Sequence, residues 1–318
     1  MRIIITGAEG FVGQHVVTAL KHSFGTRAEL VLTSLTLKSG STSAAFVPLD
    51  ITEPAAVEGL IAKVTPTHIV HLAGIAAPAD AARDPDTAWR VNLHGTLNIA
   101  RALMKTAPQA GLVFAGSGLA YGLTSKCGAA LDETALFAPA DEYGATKAAA
   151  DLALGAFAAR GLKVLRFRPF NHTGPGQSES YVVPGFAMQI ARIEAGQLAP
   201  VIRVGNLDAK RDFLDVRDVA SAYARGVDCI ATMEPGTILN LASGVPRRIG
   251  DILEVLLGLS QTRIAVEQDP TRMHASDLPC ITGNAARARE LLSWTPQVPF
   301  DVTLAEVLSD CRARLRSQ

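Results

Sequence analysis

The 318-residue chain has only four cysteines, at positions 127, 229, 280 and 311. None stands in a CxxC pair, and disulfide or zinc frameworks use tighter spacing, so reduced thiols in a cytoplasmic protein are expected, with no metal site. Aromatic residues make up 5% and charged residues 19% of the chain, and the 30 basic and 30 acidic side chains cancel. That balance leaves no global field to gather nucleic acid or an anionic membrane, so an anionic ligand has to be met by local arginines. No uncharged window approaches the roughly 18 apolar residues of a membrane span. The opening run MRIIITG reaches Gly7 too soon for a signal peptide. These absences predict a soluble protein with neither a nucleic-acid nor a membrane partner.

What is present is a regular alternation. Apolar runs at Arg2–Thr6, Glu29–Ser34, Ala45–Leu49, Thr67–Ala73, Leu112–Ala115 and Lys163–Arg168 are mostly continuous, as when both faces of a parallel sheet are covered. Helical patterns lie near 11–23, 53–64, 86–107 and 141–160. The order predicts an α/β fold with a doubly wound parallel sheet of the Rossmann kind. After Arg168 the pattern changes. Residues 169–212 are rich in Gly, Pro and polar side chains around one helix near 183–195. Then 215–229 reads as a further helix and Thr237–Leu241 as a strand, and the tail holds three shorter helices and a strand near 262–267. Residues 1–169 and 213–243 are expected to form the cofactor domain. Residues 170–212 and 244–318 are expected to form a smaller, discontinuous C-terminal lobe.

Gly7, Gly10, Phe11, Val12 and Gly13 form a GxxGxxG loop between the first strand and the first helix. Gly7 permits the tight turn, Gly10 lets the backbone approach a pyrophosphate, and Gly13 allows close helix–strand packing. The helix start then presents free N–H groups to phosphate. The alternative is an ordinary glycine-rich turn. Dinucleotide sites usually end the second strand on an acid that holds the ribose hydroxyls. Here Thr33-Ser34-Leu35-Thr36 and Lys38 stand there instead, which favours NADP(H) with NAD(H) as the alternative. Lys38 read otherwise is a solvated loop lysine.

Tyr143 and Lys147 are four apart on a helix, hence on one face. A free phenol has a pKa of about 10, and a neighbouring ammonium is expected to lower it toward proton exchange. Of the four tyrosines, only Tyr143 has a lysine at this offset. Ser117 follows the fifth strand, where ligands bind in open α/β sheets, and its hydroxyl can polarise a carbonyl beside Tyr143. Singly, each has a plainer reading, as an exposed helix pair or a turn hydroxyl.

Together with His71-Leu72-Ala73-Gly74, Val91-Asn92 and Ser117-xxx-Tyr121-Gly122, these residues resemble the extended short-chain dehydrogenase/reductase family over nearly the whole chain. The resemblance implies a Rossmann domain and a nucleotide-sugar lobe, with Ser117, Tyr143 and Lys147 catalytic. It further implies cofactor contacts at Leu72, Ala73 and Gly74, an adenine contact at Asp50 and Ile51, and Asn92 beside the active-site network. It also implies a homodimer through the helices near 86–107 and 141–160. Arg168-Pro169-Phe170-Asn171-His172-Thr173-Gly174-Pro175-Gly176-Gln177 and the stretch 204–213 are similar to GDP-sugar members of that family, the GDP-mannose 4,6-dehydratases and GDP-4-keto-6-deoxymannose reductases. The guanine base rests on this resemblance alone. Asn171 and Asn206 become substrate residues, and Arg211 a pyrophosphate clamp unless it merely pairs with Asp208 or Asp212.

A 4,6-dehydratase needs an acid just after the catalytic serine or threonine, and Gly118 and Leu119 cannot carry a proton. Reduction does not need one. Reductases of the group often keep that acid, so Leu119 departs from both patterns. Relatives carry an arginine where His274 stands. If His274 replaces it, pyrophosphate binding weakens as pH rises past about 6.5; otherwise His274 is a loop residue. The expected activity is NAD(P)H-dependent reduction of the C4 ketone of a GDP-4-keto-6-deoxyhexose, giving a GDP-6-deoxy-D-mannose or GDP-rhamnose type product. A nucleotide-sugar 4-epimerase or 4,6-dehydratase is the enzymatic alternative. A non-enzymatic nucleotide sensor fits poorly with an intact Ser/Tyr/Lys set.

Overall fold

The computed structural model describes residues 1–35, 46–272 and 278–316. Thr36, Lys38 and His274 lie outside the described residues. Strands of the first half are β1 (Arg2–Thr6), β2 (Glu29–Ser34), β3 (Phe46–Pro48), β4 (His68–His71), β5 (Gly111–Ala115) and β6 (Val164–Pro169). Later strands are β7 (Asn171–Thr173), β8 (Val201–Val204), β9 (Lys210–Asp215), β10 (Ile238–Leu241), β11 (Pro246–Arg248), β12 (Ala265–Gln268) and β13 (Cys280–Ile281). Helices α1 (Phe11–Phe24), α2 (Pro54–Val64), α3 (Pro78–Arg83), α4 (Pro85–Trp89), α5 (Thr96–Thr106) and α6 (Glu142–Ala158) accompany the first half. Helices α7 (Val182–Glu194), α8 (Val216–Cys229), α9 (Ile249–Gly258), α10 (Ala286–Leu292) and α11 (Phe300–Arg316) follow.

The main sheet runs β10-β6-β5-β4-β1-β2-β3, and every neighbour pair is parallel. The chain starts in the middle at β1, winds out through β2 and β3, and returns to β4 on the other side. A crevice therefore opens at the carboxyl ends of β1 and β4, where the winding reverses. The continuous apolar runs have a direct cause. Ile3 and Ile5 pack on one side with Val16, Leu20 and Val219, whereas Ile4 packs on the other with Ile51, Ile61 and Leu103. Both faces of β1 are covered, so the strand has no polar face to alternate with.

The C-terminal lobe has its own apolar centre. Phe186 and Ile190 of α7 meet Leu253 of α9, Leu304 and Leu308 of α11, and Phe213 of β9. Two small sheets lie here, one built on β11-β9-β13 with β7 also pairing β9, the other β12-β8. Ile281, Ala288 and Trp294 instead join the cluster on the main sheet, beside Leu239 and Val219.

Three expectations need correction. The pattern at 86–107 is not one helix, because a π-helical turn at Arg90–Gly95 separates α4 from α5. The tail helices are not all short, since α11 has 17 residues, as many as α6. Residues 169–212 also contain β7, β8 and the first part of β9, short strands that pair with distant partners. Among the described residues, no helix is long and apolar enough to cross a membrane.

Candidate active site

A cavity of about 720 Å³ occupies the crevice. Its floor is the glycine loop, and the loop is shaped to admit a ligand's phosphates. Gly7 has φ +68°, and a Cβ there would come within 2.7 Å of the Ala73 amide nitrogen. A Cβ on Gly13 would stand 2.3 Å from the Gly7 carbonyl oxygen. Only glycine fits either place. Gly10 caps α1 without a side-chain hydrogen bond, and the first turn carries no acid. Its N–H groups are thus left for an anion, and these residues fit a dinucleotide.

Gly7, Gly10, Phe11, Val12, Gly13, Ser34, Asp50, Ile51, Leu72, Ala73 and Gly74 all line this cavity. Asp50 is held in an Asx turn, its Oδ1 accepting from the Thr52 amide at 2.8 Å and the Thr52 hydroxyl at 2.7 Å. Ser34 ends β2, and its hydroxyl donates to Glu9 Oε2 at 2.5 Å.

Behind the wall, a chain of hydrogen bonds fixes the loop after β4. The Thr96 hydroxyl donates to the Asn92 carbonyl at 2.7 Å, so its oxygen accepts from His71 Nε2 at 3.0 Å. His71 Nδ1 is then the acceptor for Thr6 Oγ1 at 2.7 Å. The Thr6 oxygen in turn accepts from the Leu72 and Ala73 amides, both at 3.2 Å. His71 is neutral in this setting, its pKa pushed down to about 3 by burial and by the Lys147 charge. Asn92 sits in the π-helical turn. Its Oδ1 accepts from the Ile75 amide at 2.8 Å and its Nδ2 donates to Thr146 Oγ1 at 3.0 Å, tying the Gly74–Ile75 loop to α6.

Ser117 and Tyr143 stand on the cavity wall, and Lys147 lies in the buried layer behind it. Asp141 caps α6 by accepting from the Gly144 amide at 2.7 Å, and the Trp89 indole donates to Glu142. Helix α6 therefore starts at a fixed place, with Tyr143 in its first turn. The Lys147 ammonium lies 5.1 Å from the Phe114 ring centroid, and a Cβ on Gly74 would be 3.8 Å from it. Burial pushes the Lys147 pKa down to about 8, with Asp151 pulling the other way. The expectation that Lys147 lowers the phenol's pKa does not hold here. Burial raises Tyr143 to about 12, and the opposing pull comes from the Ser117 hydroxyl.

The segment after Ser117 is braced from below. Arg168 reaches Asp151 through Nε at 3.0 Å and Nη2 at 2.9 Å, and its Nη1 donates to the Tyr121 hydroxyl at 2.9 Å. Tyr121 passes its proton toward Asn240 Oδ1 at 2.8 Å, so this residue of the Ser-xxx-Tyr-Gly motif is a buried strut. A Cβ on Gly118 would stand 3.0 Å from the Phe170 ring, so a larger side chain there would need the ring to shift by a few tenths of an ångström. Leu119 packs with Ala81, Ala88 and Tyr143. The phenol's neighbours on this side are apolar.

Asn171, His172, Gln177 and Tyr181 complete the opposite wall. Gln177 accepts from Thr173 Oγ1 at 2.7 Å and donates to the His172 carbonyl at 3.2 Å, which folds the 171–177 loop on itself. His172 stacks on Phe11 with ring centroids 6.4 Å apart. Asn206 and Arg211 do not line the cavity. Asn206 Oδ1 accepts from the Asp208 amide, and Arg211 Nη1 donates to the Leu278 carbonyl at 2.7 Å. Asp208 pairs with Arg248, and Asp212 accepts from Ser243, Gly244 and Gly283. Glu9 and Gln177 stand within the glycine loop and the 168–177 motif without a role of their own assigned from sequence, and Tyr181 stands in no motif. No spacing rule marks them, because each reaches the cavity through a loop or a helix start.

Residues 3–242 match the model of the NAD dependent epimerase/dehydratase family. The chain is 33% identical over 322 residues to GDP-6-deoxy-D-mannose reductase of Pseudomonas aeruginosa, covering 100% of this chain and 99% of that protein. It is 25% identical to GDP-6-deoxy-D-talose 4-dehydrogenase of Aggregatibacter actinomycetemcomitans, over 92% of this chain and 91% of the other. Among solved structures, RMD from Pseudomonas aeruginosa complexed with NADPH superposes with a TM-score of 0.83 at 31% identity, covering 98% and 99% of the two chains. UDP-glucose 4-epimerase of Thermus thermophilus with NAD reaches 0.85 at 25% identity, covering 98% and 99%.

Proposed function

Because the chain belongs to the NAD dependent epimerase/dehydratase family, we propose that it is an NAD(P)H-dependent reductase of the C4 ketone of a GDP-4-keto-6-deoxyhexose. The observation that carries this reading is the pairing of Ser117 and Tyr143 on one wall of a dinucleotide-shaped crevice, with no acid at 118 or 119. The nicotinamide, when bound, supplies the hydride. Ser117 polarises the ketone oxygen and Tyr143 gives it a proton, while Lys147, one turn further along α6, holds a positive charge beside the Gly74 loop where the coenzyme would lie. The apolar surroundings of Tyr143 keep it protonated, and neither Gly118 nor Leu119 beside it can act as a base toward the C5 proton. That is what separates reduction from elimination here.

The cofactor is NADP(H) in preference to NAD(H). Support comes from the NADPH in the similar reductase structure and from the lack of an acid ending β2. Residues 1–169 and 213–243 serve the coenzyme, and the lobe of 170–212 and 244–318 takes the nucleotide-sugar. In that lobe Asn171 faces the sugar. Arg211 does not itself line the cavity, but its register opposite the cavity-lining Ile281 supports a role toward the pyrophosphate. A GDP moiety is supported by the relatives acting on GDP-sugars. Self-association through α5 and α6 is supported by Leu152, 63% exposed on α6. The free cysteines fit a reducing, cytoplasmic compartment.

The alternative of 4-epimerisation is kept in view by the epimerase relatives. One assay separates the two. Supplied with freshly made GDP-4-keto-6-deoxymannose, a reductase consumes added NADPH in equal amount and forms a 6-deoxyhexose visible by NMR. An epimerase consumes none, and that result would sink the reading.

A further inference from the structure

The second strand ends on Ser34 without an acid, yet a carboxylate stands at that spot. Glu9, from the glycine loop itself, accepts the Ser34 hydroxyl proton at 2.5 Å. Both side chains line the cavity beside Gly7, Gly10, Leu35 and Asp50. Glu9 is half-buried and Ser34 buried, so the pair is a packed feature rather than a solvated surface contact. A serine hydroxyl has a single proton. Once it is given to a carboxylate, the oxygen offers only lone pairs to whatever binds next. Ser34 is therefore turned round from the role its sequence position suggests. It does not donate to a 2′-phosphate; with Glu9 it forms an acceptor pair.

A carboxylate joined to a hydroxyl that has already given up its proton suits the 2′-hydroxyl of an adenosine ribose, which is a donor. It opposes a 2′-phosphate by like charge. We infer that Glu9 is the residue that sets coenzyme selectivity in this chain, holding the ribose from the glycine loop and limiting the preference for the 2′-phosphorylated coenzyme. NADPH keeps its lead, but a modest one, and NADH stays usable. The charge of Glu9 acts in this direction whatever cation also faces it, since removing the carboxylate leaves any such cation to the phosphate. The inference rests on the dinucleotide reading of the cavity and not on the identity of the sugar.

Coenzyme binding without sugar substrate tests it. NADPH and NADH are titrated into wild type, Glu9→Gln and Ser34→Ala by nicotinamide fluorescence, and 2′,5′-ADP and ADP by calorimetry. The ratio of Kd for NADH to Kd for NADPH is expected to rise on the order of tenfold in Glu9→Gln, mainly through tighter NADPH. 2′,5′-ADP should gain in parallel while ADP does not. Ser34→Ala, which unties the carboxylate, should move the ratio the same way by less. Glu9→Ser reads the same loss of charge if Glu9→Gln does not fold. A ratio within about twofold of wild type in the Glu9 variant, or one shifted toward NADH, overturns the inference. A wild type that binds neither coenzyme nor 2′,5′-ADP overturns the dinucleotide reading itself.

Discussion

Tyr143 and Lys147 share a helix face, and burial moves them in opposite senses. The phenol rises to about 12 and the ammonium falls to about 8. The first shift keeps Tyr143 protonated throughout the neutral and mildly alkaline range, while making it a weaker acid. The second shift has a visible consequence. The Lys147 charge beside the Gly74 loop is present below about pH 8 and is lost as pH rises through it. The profile of kcat/KM, which reports the free enzyme, is therefore expected to fall above about pH 8 with an alkaline limb owed to Lys147. Lys147→Arg should move that limb upward. A limb unchanged in the arginine variant would assign it to some other group. The residue types and their offset were legible in the sequence, but the direction of the phenol's shift was not. Spacing places Lys147 near Tyr143, whereas the outcome depends on how completely the fold removes both from water.

At the level of elements, the parts that position the site are those the sequence announces best. β1, β4 and β5 are covered on both faces, and their apolar runs state as much. The small strands of the lobe say nothing comparable. β7 and β11 have three residues each and β13 two, and they exist through partners far along the chain. The π-helical turn that places Asn92 hides inside an ordinary helical pattern, as such turns do. One element-level device can be tested through stability. His71 joins β1, β4 and α5, and is neutral in the fold with its pKa depressed to about 3. The unfolded chain takes up a proton below about pH 6.5 while the folded one does not, so stability is lost as pH falls from there. Urea unfolding at pH 7 and pH 4 should show a smaller acid loss for His71→Gln than for wild type. Equal losses would mean that the His71 network does not govern acid sensitivity.

For the whole molecule, the two lobes meet along the crevice, and the residues that line it come from both. Gly7, Ser34, Tyr143 and Ile281 belong with the main sheet, and Tyr181 leads into α7 of the C-terminal lobe. No local sequence pattern specifies that meeting, so Tyr181 carries no mark in the sequence, whereas the glycine loop does. The self-association proposed through α5 and α6 is the other matter at this scale. Helix α6 exposes Leu152 and Ala156, an apolar face that a second copy would cover. Sedimentation is expected to give the mass of two chains for wild type and of one for Leu152→Glu. A wild-type monomer, or a variant that remains dimeric, would move the interface elsewhere or remove it.

Tyr143 is the group proposed to protonate the reduced carbonyl. Its most direct test compares wild type with Tyr143→Phe, using NADPH binding by fluorescence and NADPH consumption with the keto-sugar. Loss of the phenolic proton, with packing nearly unchanged, should leave coenzyme binding in place and lower kcat on the order of a hundredfold or more. A phenylalanine variant that binds NADPH and turns over at the wild-type rate would contradict it.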